Sequence, residues 1–365
     1  MTRGQIVSIL SIMEFGVQFF PDVKPEQKSG QQYFADCLEI AERADQLGYT
    51  HIRIVEHYFH YYGGYSPNPV VFLAAASQRT KRARLVTGAI LPVFNHPLKI
   101  AGEIGMLDGL SGGRLDVGFA RAFLPHEFRR FGISPNESYA RYEEGVRQVA
   151  RLLSEEHVTE HGQFHSFDDV TSYPRPMQKP HPKFYVAAIT TAKTFEYAGK
   201  MGYSVMAIPM VGPKMREMLG IYRDAWKAAG HPGHGEVMLA FHMFCHKDSE
   251  TARNIAREPI NAYYQSLAAA GKDWTDFSSD DYPGYDKMIE SIGKETMENQ
   301  IAKAAAWVGS PTEIIAMIKR LQEEYGGFEH ASMQINFNVL DQQEAKKSLE
   351  LFAKEVMPAF APAMA

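Results

Sequence analysis

The stretch Ile52-Arg53-Ile54-Val55-Glu56-His57-Tyr58-Phe59-His60-Tyr61-Tyr62-Gly63-Gly64 decides the fold. Its first part, residues 52–55, is short and rich in Ile and Val, which is typical of a buried strand. The run then ends in an acid, two histidines, several aromatic residues and a glycine pair. Catalytic groups of parallel α/β proteins lie at this end of a strand. The stretch therefore predicts both a core strand and a candidate site.

The composition of the whole chain is that of an ordinary globular protein. Its 365 residues are 45% hydrophobic and 22% charged, with a net charge of −5. The chain has no runs of like charge, so neither nucleic acid nor an anionic membrane is expected as its main partner. A small molecule is expected instead. Cys37 and Cys245 are too few and too far apart for a disulfide framework or a thiolate metal site. The apolar residues 6–12, preceded by Arg3, are short for a signal sequence, and we expect a cytoplasmic protein.

Strand-like and helix-like segments alternate along the chain from residue 13. Eight strand–helix units at this length favour a (β/α)8 TIM barrel, an α/β fold, over an open doubly wound sheet. Two separate α/β domains divided near residues 174–182 are the alternative. The predicted strands cover residues 13–20, 50–55, 84–91, 114–119, 183–188, 203–208, 236–245 and 331–338.

Two segments interrupt this alternation. Residues 155–182 contain four prolines and short alternating pieces, which predict a hairpin-like insertion after the fourth strand and its helix. Residues 271–298 are polar and weakly patterned, and a stretch of this kind after the seventh strand and helix predicts a lid-like insertion. The expected organisation is an N-terminal extension, 1–12, followed by one barrel domain, 13–365.

The loops after barrel strands share one face, so candidate groups distant in sequence converge there. Metal sites in barrels collect ligands from several strand ends, whereas Glu56, His57 and His60 all follow one strand. No metal is therefore expected. An imidazole is well suited to general acid–base chemistry at neutral pH, so His57 is the candidate catalytic group, with a purely structural histidine as the alternative. His60 is expected in the pocket wall.

Other catalytic signatures are missing from the sequence, but an anion site is indicated. There is no Gly-x-Ser-x-Gly elbow, and the glycines at 109–113 precede a strand, the reverse of a dinucleotide loop. Residues 190–194, Thr-Thr-Ala-Lys-Thr, follow a strand and open a helix, whose free N–H groups and dipole favour a phosphate. Arg121 and Arg141 would add charge. Together these features predict a phosphorylated cofactor.

Several segments, taken in order, resemble the bacterial luciferase-like flavin monooxygenases. Residues 55–59, Val-Glu-His-Tyr-Phe, resemble the Glu-His-His-Phe stretch of that family. The likeness runs from about residue 13 to the C-terminal helix. Further matching segments are Val-Thr-Gly-Ala-Ile at 86–90, Asn-His-Pro at 95–97, Leu-Asp-Gly-Leu-Ser-Gly-Gly-Arg-Leu at 107–115, Gly-Phe-Ala-Arg at 118–121, Phe-Tyr-Val-Ala-Ala at 184–188 and Val-Gly-Ser-Pro-Thr-Glu at 308–313.

This resemblance implies a barrel that binds reduced FMN, supplied by a separate flavin reductase, and reacts it with O2 to give a C4a-peroxyflavin. By position, His57 matches the catalytic histidine of the family and Glu56 its neighbour beside the flavin. Ala89 and Ile90 match a bulged strand end against the isoalloxazine ring. The implied cofactor-binding residues are Glu56, Ala89, Ile90, Arg121, Arg141, Ala188, Ile189 and Thr190.

The chain departs from the luciferase pattern in two places. Ala120 stands where the light-emitting subunit has a reactive cysteine, and Tyr58 replaces the second histidine. These changes argue against light emission and leave oxygenation open. Aromatic side chains are expected to exclude water, although each could instead pack in the core. The predicted pocket residues are Tyr58, Phe59, His60, Tyr62, Phe94 and Phe123, with Trp274, Phe277 and Tyr282 from the lid-like insertion.

The leading hypothesis is a two-component, FMN-dependent monooxygenase that hydroxylates a small organic substrate or inserts oxygen into it by Baeyer–Villiger chemistry. The alternatives are deazaflavin-dependent hydride transfer in the same barrel and a non-catalytic flavin-binding partner subunit. The resemblance also implies a homodimer, paired through helices at 69–77 and 96–110. These helices carry the apolar residues Val71, Phe72, Ala75 and Ile104. Burial of the same faces against the barrel is the alternative.

Overall fold

The computed structural model describes residues 13–209, 213–276 and 279–361; the predicted extension at 1–12 and the predicted pocket residue Phe277 lie outside these ranges. The described strands are β1 (Glu14–Phe19), β2 (His51–Ile54), β3 (Arg84–Ile90), β4 (Leu115–Phe119), β5 (Val158–His161), β6 (Ser166–Val170), β7 (Lys183–Ala188), β8 (Ser204–Ala207), β9 (Val237–Cys245), β10 (Ala306–Gly309) and β11 (His330–Gln334).

The helices surround these strands. They are α1 (Gly30–Leu47), α2 (Pro69–Ser77), α3 (Pro97–Ser111), α4 (Pro125–Phe131), α5 (Ser138–Ser154), α6 (Ala192–Met201), α7 (Pro213–Ala228), α8 (Ser249–Gly271), α9 (Tyr285–Ile292), α10 (Met297–Ala302), α11 (Pro311–Tyr325) and α12 (Gln342–Glu355), with short 3-10 turns at Pro135–Glu137, Lys272–Thr275 and Met357–Phe360. None of the helices within the described ranges is long and apolar enough to cross a membrane.

Eight of the described strands close into a parallel barrel. β1 pairs with β2 on one side and with β11 on the other, and β3, β4, β7, β8 and β9 complete the ring in that order. In this register Gln18 lies opposite both Arg53 of β2 and Gln334 of β11. The predicted (β/α)8 TIM barrel is confirmed.

The strand β10 was not predicted from the sequence. It runs parallel to the second half of β9, with Gly309 opposite Cys245. The pairing of β9 with β11 ends where Gln334 lies opposite His242, and β10 continues the pairing from there. All four of its residues are buried. A fully buried strand of four residues has no alternation of polar and apolar positions, so its sequence carries little signal.

The two predicted insertions differ in structure. The first contains the antiparallel pair β5 and β6, in agreement with the hairpin-like interpretation of residues 155–182. The second insertion was predicted as a weakly patterned lid, but its described part is largely helical. In α9, Tyr285 and Ile289 lie one turn apart and are both buried, which stabilises this helix against the barrel. Trp274 is also buried. We call residues 272–276 and 279–302 together the cover segment.

Strand side chains alternate between the helix layer and the barrel lumen, as in other closed barrels. A buried apolar cluster fills the middle of the lumen and comprises Val86, Ala89, Tyr185, Met206 and Met238. At the amino-terminal ends of the strands, His330 lies between Glu14 and Glu236, at 3.1 Å from a carboxylate oxygen of each. Lys183 joins Glu236 at 2.6 Å. The lower end of the barrel is therefore closed by paired charges.

The His330 cluster predicts a pH-dependent stability. Burial alone would lower the pKa of His330, but hydrogen bonds with Glu14 and Glu236 outweigh it and raise the pKa to about 9. A histidine whose pKa is higher in the folded state stabilises the fold fully below about pH 6.5, and this contribution is lost as the pH rises through about 9. Both carboxylates are partly exposed, and solvent screening reduces the size of the effect. We therefore expect the free energy of unfolding to fall by about 2 kcal/mol between pH 7 and 9.5.

Urea denaturation across this pH range measures the effect. His330→Gln should be less stable than the wild type at pH 7 and should show little of the decrease. Parallel pH profiles of the two proteins would contradict this assignment.

Candidate active site

A cavity of about 430 Å³ lies at the carboxyl ends of the barrel strands. Its volume is within the range of about 300–1,000 Å³ that is usual for small-molecule sites. Its wall is mostly apolar, with a few charged groups at separate places. The lining includes Phe20, Glu56, His57, Tyr62, Ala89, Arg121, Phe123, Ala188, Ile189, Thr190, Tyr263 and Tyr285.

His57 is held at the end of β2 by two local features. Its backbone N–H donates to the carbonyl oxygen of Ser66, 3.0 Å away. Gly63 lies against the imidazole with a φ of +82°, and a Cβ at this position would overlap the ring. The bare Cα of Gly63 thus permits both the left-handed turn and the close approach of His57. The glycine at this point of the opening stretch sets the position of the imidazole.

Glu127 orients the imidazole from the other side. Its Oε1 lies 3.1 Å from Nδ1 of His57 and accepts the backbone N–H of Tyr58 at 2.8 Å. With Glu127 ionised, the carboxylate only accepts hydrogen bonds, so Nδ1 carries the proton. Nε2 of His57, which has no hydrogen-bond partner among the described residues, remains for a ligand.

Glu127 is not among the residues that the sequence patterns single out. It lies in α4, a seven-residue helix between β4 and the predicted long helix. Pro125 at the first position of α4 is a helix-start signal that was available in the sequence. The contact with His57 spans 70 residues, which no local pattern reveals.

Glu56 also lines the cavity, and its carboxyl group is enclosed by donors. Oε1 accepts from the hydroxyl of Tyr58 at 2.6 Å and from the side-chain amide of Asn95 at 2.9 Å. Oε2 accepts from the backbone N–H of Leu91 at 3.3 Å. Burial raises the pKa of Glu56 to about 7, although these three hydrogen bonds act in the opposite direction. Near neutral pH this carboxyl group can therefore hold or release a proton.

The predicted phosphate site is partly assembled. Thr190, Thr191 and Thr194 line the cavity where β7 leads into α6, and Thr191 caps α6 without a side-chain hydrogen bond. The first N–H groups of a helix are free to bind an anion there. Arg121 reaches the same cavity, with its guanidinium 4.8 Å from the ring centroid of Tyr282.

Arg141 lies outside the cavity lining. Its Nε donates to Glu137 at 2.8 Å, and its guanidinium lies 4.2 Å from the ring centroid of Phe164. The side chain thus faces the β5–β6 insertion. Ile90 is likewise placed in the hydrophobic core next to the strand end, while Ala89 lines the cavity.

Four predicted pocket residues also lie behind the cavity wall. The rings of Tyr58, Phe59 and Phe94 each pack against Phe131 of α4, at centroid distances of 4.9, 5.4 and 4.6 Å. His60 accepts the backbone N–H of Tyr62 through Nδ1. Tyr58 supports the site through its hydroxyl bond to Glu56 rather than by lining it.

The cover segment closes part of the cavity. Tyr285, Met288 and Ile292 of α9 line it, whereas Trp274 and Tyr282, both predicted pocket residues, lie behind this layer. The indole N–H of Trp274 donates to the carbonyl oxygen of Phe123 at 2.7 Å. The hydroxyl of Tyr282 donates to the carbonyl oxygen of Ala122 at 2.8 Å. The segment is therefore fastened to the loop that follows β4.

The wall contains the predicted Tyr62 together with Phe20 and Tyr263, which the sequence did not single out. The rings of Phe20 and Tyr62 lie 4.4 Å apart between centroids, and Phe20 lies 5.4 Å from the His57 ring. The hydroxyls of Tyr62 and Tyr263 are 3.3 Å apart. In the described part of the chain, His, Cys, Asp and Glu side chains form no group of three or more that could hold a metal ion.

Comparison with known proteins agrees with this barrel. The sequence profile of the luciferase-like monooxygenases matches residues 13–327. The chain belongs to the luciferase-like monooxygenase family, whose members are flavin-dependent enzymes.

Three relatives illustrate the similarity. The chain is 29% identical over 354 residues to the oxygenase component of flavin-dependent trigonelline monooxygenase from Acinetobacter baylyi, covering 95% of this chain and 96% of the relative. The crystal structure of monooxygenase RslO1 from Streptomyces bottropensis has 42% identity and a TM-score of 0.86, covering 96% and 100%. The FMN complex of the oxygenating constituent of 3,6-diketocamphane monooxygenase from Pseudomonas putida has 22% identity, a TM-score of 0.80 and coverage of 95% and 98%.

The raised pKa of Glu56 predicts that this residue destabilises the fold at alkaline pH. A carboxyl group whose pKa is higher in the folded state favours folding below about pH 4.5, and this contribution is lost as the pH rises to about 7. Glu56→Gln should therefore gain about 2 kcal/mol relative to the wild type between pH 5.5 and 8.5. Denaturation at the two pH values measures the gain.

The exposed carboxylate of Glu290 offers a control, since Glu290→Gln should show no such change. An unchanged difference between Glu56→Gln and the wild type at both pH values would contradict the prediction.

Proposed function

We propose that the chain is the oxygenase component of a two-component, FMN-dependent monooxygenase that acts on a small organic substrate. The observation that carries this proposal is the joining of His57, oriented by Glu127, with a helix terminus suited to phosphate in one largely apolar cavity. Reduced FMN, which a separate flavin reductase would supply, provides the electrons that activate O2 when it is bound.

The residues of the cavity fit this cofactor. The free N–H groups at the start of α6, the hydroxyls of Thr190 and Thr194 and the guanidinium of Arg121 would hold the phosphate. The apolar wall near Ala89, Ala188 and Ile189 offers a surface for a flat ring system. Proteins with this fold include an FMN complex and F420-dependent enzymes, so the choice of FMN rests on the flavin-dependent relative that is 29% identical over 354 residues.

His57 would manage protons in the reaction. With Nδ1 held by Glu127, its Nε2 can accept a proton from the substrate or, once protonated, donate one to it. Glu56 lies beside it and can exchange a proton near neutral pH. The aromatic rings of Phe20, Tyr62 and Phe123 exclude water from this part of the cavity and so restrict other proton transfers. The same site would serve either hydroxylation or Baeyer–Villiger oxygen insertion.

Replacing His57 should abolish most of the activity. We expect His57→Ala to lower O2-dependent product formation by about 100-fold or more, because general acid–base groups contribute about 10²–10⁴ in rate. The assay contains FMN, NADH, a general flavin reductase and candidate substrates, with product identified by mass spectrometry. His60→Asn, outside the cavity lining, should retain nearly full turnover. Full turnover by His57→Ala would exclude the proposed role.

The phosphate contacts can be tested by binding alone. Arg121→Met should weaken FMN binding by about ten-fold and leave riboflavin binding unchanged, since a charge-assisted hydrogen bond contributes about 1.5–3 kcal/mol and riboflavin has no phosphate. Fluorescence quenching measures both ligands. Arg141→Met is the matched control, expected to bind FMN like the wild type. A loss of FMN affinity in Arg141→Met alone would reverse the two assignments.

We also propose a homodimer, formed through the outer faces of α2 and α3. Val71, Met106 and Leu110 are 68%, 59% and 47% exposed. Met177, 60% exposed, lies next to α3, because its backbone N–H donates to Asp108 of that helix at 2.6 Å. The helices α2 and α3 pack against each other, and exposed apolar side chains on neighbouring elements are typical of an interaction surface.

Two of the residues predicted for the interface are placed elsewhere. Phe72 and Ile104 are buried in the core of the chain, so their side chains are not available to a second copy. For these two residues the alternative, burial against the barrel, applies. Val71 and Ala75 remain on the outer face.

Placing charges on this face should dissociate the dimer. Analytical ultracentrifugation is expected to give twice the chain mass for the wild type and the single chain mass for Met106→Glu combined with Leu110→Glu. Met201→Glu, at an exposed methionine of α6, should remain dimeric. A monomeric wild type, or a double variant at the dimer mass, would refute the proposed interface.

A further inference from the structure

Arg53 is an unusual residue for the inside of a barrel. It belongs to β2, lies opposite Gln18 of β1 and Val86 of β3, and lines the cavity. One terminal nitrogen donates to Oε1 of Gln18 at 2.8 Å, and the other donates to the carbonyl of Gly88 at 3.2 Å. Each terminal nitrogen of a guanidinium carries a second hydrogen, so each retains one further donor.

No carboxylate within the described ranges forms an ion pair with this guanidinium. Of the acidic side chains that line the cavity, Glu56 bonds to Tyr58, Asn95 and Leu91, and Glu295 pairs with Lys303 at 2.5 Å. The Nε of Arg53 is buried and has no hydrogen-bond partner in the described part of the chain. Burial lowers the pKa of Arg53 to about 10, which still leaves it charged near pH 7.

Arg84 of the neighbouring strand β3 is an arginine of the same barrel whose charge is neutralised by an ion pair. Its guanidinium forms a two-pronged ion pair with the buried carboxylate of Asp116. A cation that is taken out of water without such a partner is costly. Arg53 is a buried cation of this kind and lies among apolar wall residues such as Met206 and Ala240.

The absence of a side chain at Gly88 leaves space for the side chain of Arg53. Gly88 passes directly over it, and a Cβ at this position would overlap Nε, Cγ and Cδ of Arg53. The side chain is therefore enclosed by Gly88 on one side and held by Gln18 at its end, which fixes the plane of the guanidinium toward the cavity. A fixed, planar pair of donors matches the two oxygens of a carboxylate or a similar delocalised anion.

We propose that Arg53 is an anion subsite in the depth of the cavity and binds a planar, charge-delocalised oxyanion. Two molecules in the reaction could present this chemistry: a carboxylate of the organic substrate, or the anionic pyrimidine edge of the reduced flavin. The flavin source rests on the proposed function, whereas the carboxylate source can be tested without any flavin. In both cases the unpaired charge of Arg53 is neutralised only when the ligand is bound.

The test compares Arg53→Met with the wild type and with Met206→Leu, a neutral change in the cavity wall. Benzoate and benzamide serve as probes, because they differ in charge and little in shape, and calorimetry measures their binding to the protein without flavin. The midpoint potential of bound FMN, measured under anaerobic conditions, reports the reduced cofactor against the oxidised one. Thermal unfolding shows that each variant is folded.

If the substrate is the source, wild type should bind benzoate at least about ten-fold tighter than benzamide, and Arg53→Met should lose this preference. If the flavin is the source, Arg53→Met should bind reduced FMN about ten-fold more weakly relative to oxidised FMN, which lowers the potential by about 30 mV for a two-electron couple. Met206→Leu should change neither ratio. Arg53→Met should melt no lower than the wild type, because it removes an unpaired buried charge.

A folded Arg53→Met that keeps both ratios within about two-fold of the wild type would overturn the proposal. Should this variant not fold, Arg53→Lys carries the same two comparisons, since an ammonium lacks the planar pair of donors. A wild type that fails to bind FMN would refute the proposed function, and the benzoate comparison would then decide the role of Arg53 by itself.

Discussion

The hydrogen bonds that join β1 to both β2 and β11 close the sheet into a ring, and the site depends on this closure. In an open sheet the ends of β2 and β7 would lie apart, whereas in the ring they share one rim. His57 and Thr190 thereby line one cavity although they are far apart in sequence. Glu127 then fixes the finer geometry, because one carboxylate oxygen holds both the backbone of Tyr58 and the imidazole of His57.

Much of this architecture could be read from local patterns. The eight barrel strands are short apolar runs separated by helices with clear ends, such as α1, which begins after Ser29 and ends before Gly48 at a φ of +88°. The position of Glu56 and His57 at a strand end followed from the same reasoning. Patterns with a period of two or of 3.6 residues depend only on neighbours in sequence, and they were sufficient for the elements.

The errors concern facts that only tertiary packing determines. Arg141 is near the start of α5, as expected, but the rotation of that helix directs its side chain to Glu137 and Phe164. Glu127 lies in a helix of seven residues, too short for a periodic signal. Arg53 stood in the opening stretch as an ordinary strand residue. Its importance lies in the absence of a carboxylate partner among the described residues, which no sequence pattern states.

The lumen of the barrel is polar at both ends for different reasons. At the lower end, His330 and Lys183 are neutralised by Glu14 and Glu236, so these charges belong to the fold. At the upper end, Arg53 has no ion pair with any residue that the structure describes, and Glu56 has a raised pKa. Local departures of this kind are expected where a protein gives up stability for binding or catalysis.

The attachment of the cover segment has a thermodynamic consequence. Trp274 and Tyr282 bond to the backbone of residues 122 and 123, immediately after Arg121 in the chain. The position of that loop and the position of the cover segment therefore depend on the same two hydrogen bonds. Because linkage is reciprocal, anything that stabilises the loop after β4 stabilises the attachment of the cover segment by the same free energy.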